Sequence, residues 1–126
     1  MQENQLIVLS RAFAVRTINT CFAAKERRKA TVIINQLLRS GTSIGANIHE
    51  ANYASSKVDF INKLQIAMKE CYETEYWLEL FQRAAIADPQ ATAGLSRACG
   101  TMRRMLVASV NTAKQNDQAN KAETIG

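Results

Sequence analysis

The sequence predicts an all-α protein, an antiparallel up-down-up-down four-helix bundle. Among 126 residues there are one proline and five glycines, too few chain breakers for many short strands. Apolar residues make up 47% of the chain and aromatics only 6%. The apolar positions recur at steps of three and four, the period of a helix with one buried face. The segments with that period are similar in length and joined by short connectors, which makes consecutive helices antiparallel neighbours.

The first helix is expected over residues 4–24, with Leu6, Leu9, Phe13, Ile18 and Phe22 at intervals of about one turn. A basic connector follows, KERRK at residues 25–29. The second helix is expected over residues 30–54, burying Ile34, Leu37, Gly41, Ile44, Ile48 and Ala51. Ser55-Ser56 then offers a cap, with Asp59 placed to help satisfy free N–H groups of the first turn. From there Phe60, Leu64, Ala67, Cys71, Thr74, Leu78 and Phe81 mark the seam of the third helix. Asp59–Lys63 and Glu79–Arg83 are acid-before-base pairs on its wet side, each worth about 0.3–0.5 kcal/mol. Asp88-Pro89 starts the fourth helix: a capping acid, then proline where its missing N–H costs nothing. Its seam is Leu95, Cys99, Met102, Leu106, Ser109 and Ala113. The bundle domain is thus expected over residues 1–114, and the polar residues 115–126 are expected to be a disordered tail.

A chain of this length forms one domain with a core of its own. Cys21, Cys71 and Cys99 are far apart and odd in number, without metal-ligand spacing. They are expected to be reduced core thiols of a cytoplasmic protein. Leu6-Ile7-Val8-Leu9 is too short for a signal core, and no run reads as a membrane span. No cofactor is expected, and no membrane partner. The net charge of +5 and pI near 9.4 suit an anionic partner without demanding one.

The stretch RSGTSIGANIHEA, residues 39–51, admits two readings. A phosphate loop needs G-x-x-x-x-G-K-[ST] between a strand and a helix. Here the glycine spacing is one residue short, no lysine follows Gly45, and INQLL before it is helical in period. The alternative is helix packing. Each glycine costs roughly 1 kcal/mol inside a helix, which closer approach of a neighbouring helix offsets through dispersion. Ser40, Ser43, Asn47 and Glu50 form a polar stripe beside the seam, whose groups need partners when half-buried. Packing is the reading adopted. Glu50 as a general acid or base would need a second titrating group within reach, and His49 points about 100° away on a helix. A di-iron bundle would need two E-x-x-H motifs, and the chain has one histidine.

With those stretches placed on helices two and three, the chain resembles the bacterial four-helix-bundle family named after the 23S rRNA intervening sequences in which some members are encoded. That family's pattern is similar to Q-L-x-R-S-x-x-S-I-x-x-N-I-x-E-A, then S-x-x-D-F-I-x-K-L-x-I-A-x-K-E, then E-x-x-Y-W-L. The first block is carried here by Gln36, Leu37, Arg39, Ser40, Ser43, Ile44, Asn47, Ile48, Glu50 and Ala51. Ser56, Asp59, Phe60, Ile61, Lys63, Leu64, Ile66, Ala67, Lys69 and Glu70 carry the second, and Glu73, Tyr76, Trp77 and Leu78 the third. The match is strong over residues 30–83. Many relatives carry Phe-Pro where this chain has CFAAKERRK, and a small residue in place of His49. The resemblance implies a homo-oligomer, since relatives form ring-like pentamers. It also implies RNA or DNA as a partner: a similar bundle family assists the reverse transcriptases of diversity-generating retroelements, binding enzyme and template through basic surfaces.

The residues bear on that expectation in two ways. Residues 1–54 carry seven basic and three acidic groups, residues 55–84 four and five, residues 85–126 five and three. Lys25, Arg27, Arg28 and Lys29 cluster at one bundle end, and Arg103 and Arg104 add to helix four. These six are the nucleic-acid-binding candidates, against the plain reading of KERRK as a solvated connector. Tyr72, Tyr76 and Trp77 lie just off the third seam and either cap the core or form a subunit contact. On the second reading Trp77→Ala shifts the protein toward monomer. The expected function is a non-enzymatic oligomeric bundle that binds nucleic acid or a nucleic-acid-handling enzyme. The alternative is an interaction scaffold with no nucleic-acid affinity. A hydrolase or nuclease acting through Glu50 would require metal-dependent turnover abolished by Glu50→Gln.

Overall fold

A computed structural model describes residues 2–27 and 30–125. It contains four helices: α1 (Gln2–Glu26), α2 (Thr31–Ala51), α3 (Lys57–Arg83) and α4 (Pro89–Ile125). Each packs on two neighbours, α1 on α2, α2 on α3, α3 on α4 and α4 back on α1, and among the described residues no backbones approach closely across the diagonal. This is the four-helix bundle expected. The α1–α4 seam is the most sparsely packed of the four. Among the described residues no strand occurs.

The helix ends follow local chemistry. Ser56 Oγ accepts the Asp59 N–H at 3.0 Å, and the Ser55 N–H reaches back to the Asp59 carboxylate at 3.3 Å. Asp59 therefore serves the cap, and Lys63 pairs with Glu50 across the helices instead of with Asp59. At the far end of α3 the Ile86 N–H bonds Phe81 O at 3.0 Å and the Ala85 N–H bonds Gln82 O at 3.4 Å. This paired closure calls for left-handed backbone at Ala85, which has φ 50, where glycine is usual. Asp88 accepts the Ala91 N–H at 2.9 Å and starts α4. The second helix ends at Ala51, before Ala54, because i→i−3 bonds from Tyr53 and Ala54 tighten the exit turn.

Phe13, Ile34, Leu37, Ile44, Leu64, Leu78, Phe81, Leu95, Met102 and Leu106 fill the core. The three cysteines are free and buried. Burial pushes the Cys21 thiol up to about 11, and the neighbouring Cys71 together with burial pushes Cys99 up as well. Both are held as neutral thiols, with Cys99 Sγ donating to Cys71 O.

Three registers differ from expectation. On α1 the buried face is Leu6, Ser10, Phe13, Thr17, Cys21 and Ala24. Leu9 and Phe22 are exposed, because small hydroxyl residues occupy the close approach to α2 and satisfy themselves on their own helix, Thr17 Oγ1 donating to Phe13 O at 2.8 Å. On α3, Ile61 takes the buried position and Phe60 lies half-buried beside it. Finally α4 remains helical to Ile125, where a disordered tail was expected past residue 114. Ala113 is its last buried residue among those whose burial is described, so residues 114–123 have no buried apolar face for sequence periodicity to reveal. An Asp117–Lys121 pair at 3.2 Å, acid before base, favours helix there.

Candidate functional site

The residues of the RSGTSIGANIHEA stretch lie on α2 and divide between two faces. Gly41 and Gly45 face α1. A methyl added at Gly41 would stand 2.9 Å from Thr17 Cγ2 and 3.5 Å from the Phe13 ring, and one at Gly45 would stand 3.4 Å from Ser10 Oγ. The two glycines let α1 and α2 approach closely, and their surroundings are a packed core, not a loop open to a phosphate.

The other face meets α3. Buried Ser40 accepts from Thr74 Oγ1 at 2.9 Å and donates to Leu37 O at 3.4 Å. Arg39 reaches Glu70 at 3.4 Å and pairs closely with Glu73. Glu73 also accepts the Trp77 indole N–H at 3.0 Å. That bond, with Arg39, holds its carboxyl below the usual carboxylate range. Ser43 Oγ donates to Arg39 O at 2.7 Å and Asn47 Nδ2 to Ser43 O at 2.8 Å, so both are satisfied within α2. Glu50 pairs with Lys63 at 2.8 Å, which lowers the carboxyl and raises the amine. His49 lies against the Tyr53 ring, centroids 5.3 Å apart. Among the described residues no group of three or more His, Cys, Asp or Glu gathers around a common point.

The predicted interface aromatics separate. Trp77 packs on the core and anchors Glu73. Tyr72 and Tyr76 are exposed, Tyr72 beneath the Arg103 guanidinium at 5.4 Å and Tyr76 edge-on to Trp77.

The nucleic-acid candidates separate as well. Arg28 and Lys29 lie outside the described residues. Lys25 sits 5.9 Å above the Phe22 ring, and Arg27 lines a depression of about 220 Å³ at the α1–α4 seam. Arg103 forks onto Glu75 at 2.7 and 3.3 Å, and Arg104 is exposed, bonded to Thr101. Arg103 and Arg104 sit more than three turns along α4 from the end that holds Lys25 and Arg27, so the structure does not gather the four described candidates into one patch. Between the two groups stand Arg16 and Arg97, which the sequence reading passed over. Their signal was spacing: Arg16 is three turns before Arg27, and Arg97 two turns before Arg104.

A second exposed feature emerged only with the fold. Val8, Val15 and Phe22 are seven residues apart and 66%, 57% and 55% exposed. They form an apolar stripe on the outer side of α1, opposite the face that carries Leu6 and Phe13. By length and composition Gln5–Glu26 is apolar enough to cross a membrane, a property the sequence reading did not find. In the bundle, one face of that segment is core.

Together these features define a class: a small all-α bundle whose middle helices are clamped by a serine–threonine bond and an arginine–carboxylate–tryptophan network. The chain belongs to the 23S rRNA-intervening sequence protein family, whose model matches residues 2–108. It is also similar to the crystal structure of a protein of unknown function from the S23 ribosomal protein family of Bacteroides thetaiotaomicron. The two are 42% identical, with 88% of this chain and 99% of that chain covered and a TM-score of 0.82. A search of the curated proteins finds no match.

Proposed function

We propose that the protein is a non-enzymatic, self-associating bundle that binds nucleic acid through a cationic edge. The observation that carries this reading is the division of charge among the helices. The carboxylates of α3 are taken up within the bundle, Glu70 and Glu73 by Arg39, Glu75 by Arg103 and Glu79 by Arg83. Arg11, Arg16, Lys25, Arg27 and Arg97 of α1 and α4 form no ion pair among the described residues. A surface whose cations lack internal partners favours a polyanion, with binding that is blind to sequence and steeply dependent on salt. The RNA in the family's name makes RNA the first probe.

The non-enzymatic reading takes Glu50 as a structural group, an exposed carboxylate held in an ion pair with Lys63 at 2.8 Å. Self-association is supported by the outer stripe of α1, since burying Val8, Val15 and Phe22 against another copy would remove apolar surface from water. A ring such as the pentamer of relatives would repeat the cationic edge and multiply its field.

The test is titration of a labelled structured RNA by fluorescence anisotropy at low and moderate salt. Binding that weakens sharply with salt, and weakens again when Lys25, Arg27, Arg28 and Lys29 are replaced by glutamine, is expected. No binding at low salt would leave the competing reading: a scaffold for protein partners, a reverse transcriptase among them, which the exposed Tyr72 and Tyr76 favour.

A further inference from the structure

Gly94 on α4 lies opposite Arg16 on α1. A methyl built on Gly94 would stand 2.8 Å from Arg16 Nη2 and 3.9 Å from Arg97 Nη2. The two guanidinium nitrogens are therefore closer to each other than the sum of those distances. Neither forms an ion pair among the described residues. Two like charges brought together without a carboxylate repel, and the arrangement favours an anion that bridges them. The missing Cβ at Gly94 lets the Arg16 head lie against α4 instead of extending into water.

We propose that Arg16 and Arg97, converging over Gly94, form a clamp for a backbone phosphate of a nucleic-acid strand lying along the α1–α4 seam. This rests on the nucleic-acid reading above and locates its centre. A planar guanidinium presents paired N–H groups to phosphate oxygens, and two such forks provide donors from two directions. Cations continue in both directions. Arg27 lies on the same face of α1 as Arg16, eleven residues or roughly 16 Å along the axis, and Arg104 follows Arg97 by seven residues, roughly 10 Å. Beside Arg27 the seam opens into the depression lined by Asn19 and Thr20, whose side chains add neutral hydrogen-bonding groups. Asp88 lines it too, with its carboxylate already accepting the Ala91 N–H. A free phosphate would fill the centre of this row alone, whereas a strand engages its whole length. That favours an extended polyanion over a small one.

The experiment compares the full-length wild type with Arg16→Gln/Arg97→Gln, with Gly94→Ala, and with Lys69→Gln/Arg83→Gln on α3 as a charge-matched control. Each is titrated with labelled RNA over a salt series, and the wild type also with inorganic phosphate. The clamp predicts that the double variant loses at least about tenfold in affinity. It also predicts that the slope of log K against log salt falls by about one, for the single phosphate that the two cations neutralise together. Gly94→Ala displaces Arg16 through its flexible end and weakens binding while helix propensity keeps the fold at least as stable. Circular dichroism melting separates that outcome from unfolding. If wild type binds RNA and the Arg16/Arg97 variant weakens no more than the α3 control, the clamp is overturned and the nucleic-acid reading stands. If phosphate binds and RNA does not, the strand assignment is wrong. Failure of RNA and phosphate alike overturns both.

Discussion

At the residue scale, Gly41 and Gly45 look equivalent in sequence and are not equivalent in the fold. Gly41 faces Thr17, a β-branched residue whose hydroxyl is tied to Phe13 O at 2.8 Å. Thr17 has little freedom to yield, so Gly41→Ala overpacks the α1–α2 contact. Overpacking costs about 1–3 kcal/mol, against roughly 1 kcal/mol gained in helix propensity. Gly45 faces Ser10 at ordinary contact distance, and an alanine there keeps the propensity gain without the clash. Urea denaturation should therefore show Gly41→Ala destabilised by about 1 kcal/mol and Gly45→Ala stabilised by up to about 1 kcal/mol. Equal effects at both sites would mean that close approach is not what selects the glycines. The motif was legible in the sequence, but its partner helix was not, because spacing says which residues share a face and nothing about what the face meets.

At the element scale, α2 and α3 are joined by Arg39, Ser40, Glu70, Glu73, Thr74 and Trp77. Since Glu73 has its pKa lowered in the fold, it binds a proton less readily there than in the unfolded chain. Its contribution to stability is present above the ordinary carboxylate value of 4.5 and is lost as pH falls through the lower folded value. Glu73→Gln should thus be less stable than wild type near neutral pH and lose less stability on acidification. The difference should be no more than about 1 kcal/mol, because Arg39 and Glu73 are both well exposed to solvent. Denaturation midpoints followed from pH 7 to pH 3 for both proteins provide the check. Parallel curves would remove Glu73 from the acid response. The periodicity of α3 was evident from sequence, as were the Ser56 cap and the Asp88-Pro89 start. The hydrogen bond from Trp77 to Glu73 was hidden, because an i,i+4 indole–carboxylate pair on the edge of a seam has the same spacing as a core contact.

At the scale of the whole molecule, α1 has apolar residues on two faces and the monomer covers one. Replacing Val15 and Phe22 together by glutamate places charges on the outer stripe and leaves the buried face untouched. On the self-association reading, light scattering should show a multimer for wild type and a mass near 14.0 kDa for the variant, with helicity retained. A wild type that is itself monomeric at micromolar concentration would end that reading. Trp77→Ala is a poorer probe than it looks from the sequence, since Trp77 packs on the core and its loss mixes stability with assembly. Tyr76→Ala, on an exposed ring, isolates the aromatic edge.

The all-α class, the four helices, their antiparallel order and most of the core could be read from the chain alone, because helical period, caps and connector length are local properties. What covers each face was settled only by tertiary packing. The fold decided that Gly41 and Gly45 seat Thr17 and Ser10, and that Leu9 and Phe22 turn outward while hydroxyls line the α1–α2 contact. It also decided that Arg103 is neutralised by Glu75 while Arg16 and Arg97 converge over Gly94. Those outcomes depend on pairs of residues from 24 to 81 positions apart in sequence, and no local pattern encodes the distance between side chains brought together from different helices.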